Sequence, residues 1–376
     1  MVNSEITAIT MPKWGLTMTE GKVVGWLKQQ GQSFAEGEEL LEIETTKITN
    51  VMEAPAGGTL RRIVAPAGAT LPIGGLLAVV APEEVAEGEI DTFVAGFAVP
   101  EPSAEAEADT EAARPRELEA AGLRLRYLAL GESDSLPALL LHGFGADLNT
   151  WMFTQPALAD GRRIVALDLP GHGGSAKQLD RADAESLAAI VGHALNALGV
   201  ERLHLVGHSM GGGIAIALAL RERERVATLT LISSASLGPE INAAFIDGFV
   251  RAARRREAIE ALKLLVHDPA LVSRTMIEDV LRYKRLDGVP EALTAFAEQW
   301  FPGGRQRAGL SEAVATLKLP VQIIWGREDR IIPVAHAEAL ASRLPVHILE
   351  QTGHLPHMEK AGEVNRLIRR LIENQA

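Results

Sequence analysis

Apolar and polar positions along the chain follow three successive rhythms. Up to about residue 81, apolar side chains come in short runs divided by turn glycines. A shift of 37 residues lays Gly21 on Gly58, Gly31 on Gly68 and Gly37 on Gly74. It also matches Trp26, Leu27, Phe34, Leu40 and Ile43 with Ile63, Val64, Leu71, Leu77 and Val80. Units this small cannot bury an apolar face alone, so the repeat predicts two β halves packed as a flattened sandwich or barrel. Over residues 82–116 the rhythm is lost to Ala, Glu and Pro, which predicts an extended linker holding one small apolar island, Val94–Val99. After Leu123 strand-like runs alternate with helix-spaced ones. Candidate strands are Leu125–Leu130, Ala138–Leu141, Arg163–Leu167, Leu203–Val206, Thr228–Ile232, Val321–Trp325 and Val346–Leu349. That alternation predicts a mainly parallel sheet covered by helices. Between about 237 and 310, Phe245, Phe249, Ile259, Leu262 and Leu265 recur at helical spacing and predict a helical insertion.

Length and charge sharpen the division. A chain of 376 residues suits two domains and a connector, 1–81, 82–116 and 117–376. Of the net charge of −12, the stretch Pro82–Gly122 carries −10, with twelve Asp or Glu against two Arg. Such an acidic balance argues against nucleic-acid binding. Absence of cysteine excludes disulfides, thiolate metal sites and a Cys nucleophile. The N-terminus lacks a basic-then-apolar signal pattern and no run of about 18 apolar residues occurs, so the expectation is a soluble, cytoplasmic protein that spans no membrane.

Candidate chemistry centres on Gly207-His208-Ser209-Met210-Gly211. A buried strand precedes it and a helix of small residues follows, so the turn can hold Ser209 exposed while its glycines let strand and helix pass closely. An alcohol is a weak nucleophile at neutral pH, so Ser209 needs a base and the base a carboxylate. With His142-Gly143-Phe144-Gly145 and Asp168-Leu169-Pro170-Gly171-His172-Gly173, the region resembles the α/β-hydrolase fold. The resemblance implies Asp329, in Gly326-Arg327-Glu328-Asp329, as the acid and His354, in Gly353-His354-Leu355-Pro356-His357, as the base, with His357 the rival three residues on. It also implies an oxyanion hole from the backbone N–H groups of Met210 and Phe144, a structural role for Asp168, and a loop-shaping role for His142. The inserted helices would form a cap. Their cluster of Arg251, Arg254, Arg255, Arg256, Lys263, Arg282, Lys284 and Arg285 is either a solvated face or an anion-binding patch.

In the first stretch, alternating segments flank Lys47 within Glu42-Ile43-Glu44-Thr45-Thr46-Lys47-Ile48-Thr49-Asn50-Val51, which puts its amine at a hairpin tip. Residues Ile6–Val80 resemble the lipoyl domains of 2-oxo-acid dehydrogenase complexes, which implies lipoate on Lys47. Thr46 stands where that family commonly has an acidic residue, and biotin carriers place Met on both sides of their Lys. The whole chain is similar to acyltransferase (E2) components of bacterial acetoin dehydrogenase complexes. That similarity implies acetyl transfer from dihydrolipoyl-Lys47 to coenzyme A through Ser209, with a thiamine-diphosphate-dependent E1 and dihydrolipoamide dehydrogenase as partners around a homo-oligomeric core. The His-x-x-x-Asp-Gly motif of sister acyltransferases is missing: Tyr283 precedes Asp287-Gly288, and Ala243 precedes Asp247-Gly248, at that spacing. Two other readings stay open on the residues alone, a serine hydrolase or thioesterase with an appended carrier, and a carrier whose hydrolase-like domain is only structural. For the carrier, Lys47→Arg should abolish lipoylation and leave the fold intact. Intact-protein mass spectrometry of chain from a lipoate-replete host checks this, and an unmodified Lys47 there would refute it.

Overall fold

The structure is a computed structural model that describes residues 6–14, 18–45, 49–99, 114–307 and 309–374. It divides into two units, Met1–Glu111 and Ala112–Ala376.

The first unit is built from β1 (Thr7–Thr10), β2 (Glu20–Trp26), β3 (Ser33–Phe34), β4 (Glu39–Glu44), β5 (Thr49–Glu53), β6 (Gly58–Ile63), β7 (Thr70–Pro72) and β8 (Leu76–Val80). They form two antiparallel sheets ordered β1-β8-β6-β3 and β5-β4-β2-β7. The 37-residue shift carries β2, β3 and β4 onto β6, β7 and β8, and the two halves interlock, because β3 pairs with β6 and β7 pairs with β2. The repeat extends to backbone conformation: φ is +88° at Gly31 and +89° at Gly68, +79° at Gly37 and +78° at Gly74. These are left-handed turn positions where only glycine is unstrained. Ile9, Val23, Leu40, Ile43, Leu60 and Leu77 are fully buried between the sheets. β4 and β5 pair with Glu44 opposite Thr49, so the segment joining them contains Lys47. Lys47 itself, with Thr46 and Ile48, lies outside the described residues.

The linker expected from residue 82 does not begin there. Glu87–Gly96 is an α-helix, and its Ile90, fully buried, packs with Leu76, Val79, Ala81 and Val85, with Phe93, Val94 and Phe97 alongside. Arg61 and Arg62 on β6 reach Glu87 at 2.8 Å each, and Arg62 reaches Asp91 at 2.9 Å. Two observations account for this helix. Acidic Glu87 and Glu89 sit in its first turn, where the helix dipole favours them. β8 has no polar position, because Leu77 and Val80 face the sandwich core while Leu76 and Val79 lie under the helix. Residues 100–113 lie outside the described residues.

The second unit carries an eight-stranded sheet ordered β16-β15-β14-β13-β11-β12-β10-β9. Its strands are β9 (Arg116–Ala120), β10 (Leu123–Leu130), β11 (Ala138–Leu141), β12 (Ile164–Leu167), β13 (Leu203–His208), β14 (Val226–Ile232), β15 (Val321–Gly326) and β16 (Val346–Leu349). From β12 to β16 across the sheet the pairing is parallel, while β10 runs antiparallel to β12 and to β9. The parallel strands β11 to β15 are buried throughout because helices cover both faces, and β11 and β12 are unbroken apolar runs. The polar edge strand β9 was not expected from the sequence. Its glutamates look like linker charge, but Glu117 pairs with Arg124 across the edge. The expected cap is helical: Ala243–Arg251, Arg255–Lys263, Arg274–Tyr283 and Val289–Trp300. Among the described residues no helix is long and apolar enough to cross a membrane.

Because Ile90 anchors its helix over β8, Ile90→Ala should destabilise that corner by about 2–5 kcal/mol, the usual cost of emptying a buried aliphatic site. Faster hydrogen exchange at the Leu76–Val80 amides, without change in β11 to β14, is the expected result.

Candidate active site

Ser209 is the residue between β13 and the helix Met210–Arg221, and its backbone is strained, with φ +51° and ψ −119°. Such a conformation costs an L-residue of order 1–3 kcal/mol and persists only where surroundings over-determine it. Here they do. Ser209 N–H donates to Ile232 O at 2.9 Å, and its carbonyl accepts from the N–H groups of Gly212 and Ala235, each at 2.9 Å. The flanking glycines cannot be replaced: a Cβ on Gly207 would lie 2.4 Å from Gly211 O, and one on Gly211 would lie 2.3 Å from Leu141 O.

Two loops after later strands meet this serine. His354 Nε2 lies 3.0 Å from Ser209 Oγ, and His354 Nδ1 lies 2.8 Å from Asp329 Oδ2. The second oxygen of Asp329, Oδ1, accepts from the N–H groups of Ile331 (2.8 Å) and Ile332 (3.0 Å). The side chains of His354 and Asp329 are 3% and 0% exposed, so the line of hydrogen bonds is shielded from water. This is the geometry of a hydroxyl that donates to an imidazole whose other N–H is held by a carboxylate, and it can run nucleophilic acyl chemistry.

His357 is placed elsewhere. Its ring is fully buried against Trp151 (4.6 Å between centroids) and hydrogen-bonds Thr150 Oγ1 through Nε2 at 3.1 Å. Burial pushes its pKa down to about 3.

Met210 is the first residue of its helix, so its N–H has no intrahelical acceptor. Phe144 follows Gly143, where a Cβ would stand 3.0 Å from Ser209 Cβ, so that loop runs directly past the serine. His142, fully buried, shapes the loop. Its Nδ1–H donates to Gly143 O at 2.8 Å, and its Nε2 accepts from Leu169 N–H at 3.0 Å. Asp168 is buried as a hub for backbone, accepting from Leu148 N–H at 2.7 Å and Gly174 N–H at 2.6 Å and pairing with Arg126. It lies outside the Ser209 line.

Three residues that shape the site escaped the sequence reading. His208 donates from Nε2 to His354 O at 2.8 Å and packs between the rings of His354 (5.0 Å) and His357 (4.5 Å). Glu359 accepts from the N–H groups of His267 (2.7 Å), Gly353 (2.9 Å) and Leu355 (3.2 Å), pinning the loop that carries His354. Glu328 accepts from Thr352 N–H at 2.9 Å and ties that loop to the acid loop. His208 sits inside the Gly-x-Ser-x-Gly motif, and Glu359 lies five residues after His354. Nothing in one-dimensional spacing marks either as a clamp.

The basic residues of the cap divide between two environments. Arg255 and Arg282 face solvent and pair with Glu278 (3.7 Å) and Asp279 (3.4 Å). Lys284 turns inward to the carbonyls of Phe249 and Val250. Among the described residues no group of three or more His, Asp or Glu is placed to hold a metal ion.

A family model described as the alpha/beta hydrolase fold matches residues 137–361, and one described as a biotin-requiring enzyme (biotin/lipoyl) matches residues 7–80. The chain is 46% identical to the dihydrolipoyllysine-residue acetyltransferase component of the acetoin cleaving system of Pseudomonas putida, over 96% of this chain and 97% of that one. It is 43% identical to the protein of the same description from Cupriavidus necator, over 98% of each. Among solved structures, a meta-cleavage product hydrolase from Pseudomonas fluorescens matches with a TM-score of 0.64 and 27% identity, covering 69% of this chain and 98% of that one.

Buried neutral histidines make this unit acid-sensitive. Burial pushes His172 and His357 down to about 3 and His204 to about 4, and lowers His142 and His208 as well. Each takes up a proton at about 6.5 when unfolded and at lower pH when folded. Stability is therefore full above about pH 6.5 and lost as pH falls toward 4. The slope is about 1.4 kcal/mol per pH unit for each such histidine. Urea unfolding between pH 7 and 4.5 should show this, with the slope reduced by about one histidine's share in His357→Asn.

Proposed function

The chain belongs to the family of dihydrolipoyllysine-residue acetyltransferase components of acetoin cleaving systems, and from that membership we propose that it passes acetyl groups from a lipoyl arm on Lys47 to coenzyme A through Ser209. One observation carries the proposal. A β4–β5 lipoyl-type frame around Lys47 and a shielded Ser209–His354–Asp329 line occur in the same chain.

Lipoate in amide linkage to Lys47 would supply the acyl group as a thioester. Ser209 Oγ attacks the thioester carbonyl and gives its proton to His354 Nε2. Asp329, already bonded to Nδ1, holds the imidazolium that results. The N–H groups of Met210 and Phe144 donate to the developing oxyanion, where preorganised donors in a dry site contribute most. His354 returns the proton to the departing thiol, leaving acetyl-Ser209. In the second half His354 deprotonates the thiol of coenzyme A, which attacks the ester, and Ser209 recovers its proton. The thiamine-diphosphate-dependent E1 that loads the arm and the dihydrolipoamide dehydrogenase that reoxidises it are the partners this cycle requires.

Hydrolysis is the competing outcome, since water reaches any acyl-serine left open to it. The aromatic wall beside Ser209 favours transfer. Phe144 packs against Phe249 and Phe301, each at 5.9 Å between centroids, and Ser209 is itself buried.

With loaded lipoyl-Lys47, Ser209→Ala should accumulate acetyl-lipoyl protein and lower acetyl-CoA formation by on the order of 10⁴. His354→Ala should do the same. Quantifying acetyl-CoA against acetate at saturating coenzyme A tests the reading. Mostly acetate, lost on Ser209→Ala, would replace the transferase with a hydrolase.

A further inference from the structure

A cavity of about 690 Å³ opens between the segment Lys177–Ala182 and the cap turn Lys284–Gly288 together with the helix Val289–Trp300. The two sides close tightly at one end, where a Cβ on Gly288 would lie 3.0 Å from Lys177 Cβ. Its inner wall is apolar, with Leu179, Ala295 and Phe296, and its rim carries Lys177, Lys284 and Arg285 beside Asp287 and Glu291.

Two routes of packing tie this cavity to the serine. Phe296 meets His172 at 4.7 Å between centroids, and His172 meets Phe144 at 6.2 Å. The Lys284 ammonium stands 5.1 Å from the centroid of Phe249, which lies 5.9 Å from Phe144. Phe144 belongs to the loop that passes Ser209. Packed rings, Phe249 and Phe144 on one route and Phe296, His172 and Phe144 on the other, thus lie between the cavity and the nucleophile.

The rim lysines are positioned by backbone carbonyls rather than by carboxylates at contact distance. Lys177 Nζ donates to the carbonyls of Gly173 (2.8 Å) and Ser175, and Lys284 Nζ to those of Phe249 and Val250 (3.1 Å). Among the described residues, neither lysine nor Arg285 has a carboxylate within ion-pair distance, whereas Arg255 and Arg282 on the solvated cap face do. Burial pushes Lys284 down to about 8, and an anion at the rim would reverse that shift.

We propose that this cavity receives the phosphoadenosine diphosphate head of the acceptor thiol, its base against the apolar side formed by Leu179 and Ala295 and its phosphates at the Lys177–Lys284–Arg285 rim, while the neutral arm extends toward the Phe144 loop beside Ser209. This rests on the acetyl transfer to coenzyme A proposed above. The chemistry matches in both parts: a long uncharged arm suits apolar surroundings, and several phosphates suit cations that make no short carboxylate pair.

The test compares coenzyme A with pantetheine, which keeps the thiol arm and lacks the nucleotide, on the lipoylated full chain. Arg285→Glu should lower the ratio of kcat/KM for coenzyme A to that for pantetheine by about tenfold or more, mainly through KM, and Arg285→Lys should retain most of it. Equal loss for both thiols, or an unchanged ratio, overturns the assignment. A second arm needs no turnover: adenosine 3′,5′-diphosphate should bind the Ser209→Ala protein by calorimetry, and Arg285→Glu should weaken it by a similar factor. ATP binding as tightly would mark a general nucleotide site and refute the match to this acceptor. If the diphosphate binds through Arg285 while acetyl passes only to water, the cavity stands and the transferase reading falls. If coenzyme A is acetylated with no dependence on Arg285, the reverse holds.

Discussion

A positive-φ serine between two glycines is the constraint on which the second unit depends. Ser209 stays at φ +51° because its N–H is spent on β14 and its carbonyl on Gly212 and Ala235, so the conformation cannot relax without breaking the sheet-to-helix junction. The junction in turn requires the first ten residues of the helix Met210–Arg221 to be buried on every side, which explains their small and apolar character. One local strain therefore sets the position of the Oγ, the helix whose first N–H stands beside it, and the central place of β13 in the sheet.

His354 is held by a different kind of constraint. Its loop is tethered from three directions: Glu359 takes its N–H groups, Glu328 links it to the acid loop, and His354 N–H donates to Leu265 O of the cap at 2.7 Å. Gly353 permits the last contact, since a Cβ there would stand 2.7 Å from His267 N. The position of His354 and the position of the cap are thus mechanically linked through Leu265.

The lipoyl-type unit answers to symmetry instead. Its two sheets match as β4-β2-β7 and β8-β6-β3, each half lending its short strand to the other, and the left-handed glycines recur in the same pairs. The helix Glu87–Gly96 breaks that symmetry by covering β8, whose partner in the repeat, β4, keeps glutamates at both ends and in the middle.

Local patterns were enough to determine much of this protein. Periodicity alone delimited β11 and β16 to the residue, the 37-residue offset exposed the internal repeat, and the glycine frame around Ser209 marked the elbow, because each depends on backbone conformation or on burial of neighbouring residues in the chain. An all-apolar β8 also carried a sign that both its faces are covered, although charge in residues 82–99 reads as linker. Only the tertiary structure decided the rest. Whether His354 or His357 meets Ser209 depends on a loop clamped by Glu359, and three residues of spacing put one ring on the serine and the other against Trp151. β9 is a strand because β10 offers it an edge, and Lys284 leaves the solvated basic face because Phe249 and two carbonyls receive it. These outcomes turn on contacts between residues far apart in sequence, and no period or motif encodes the distance between two side chains that folding alone brings together.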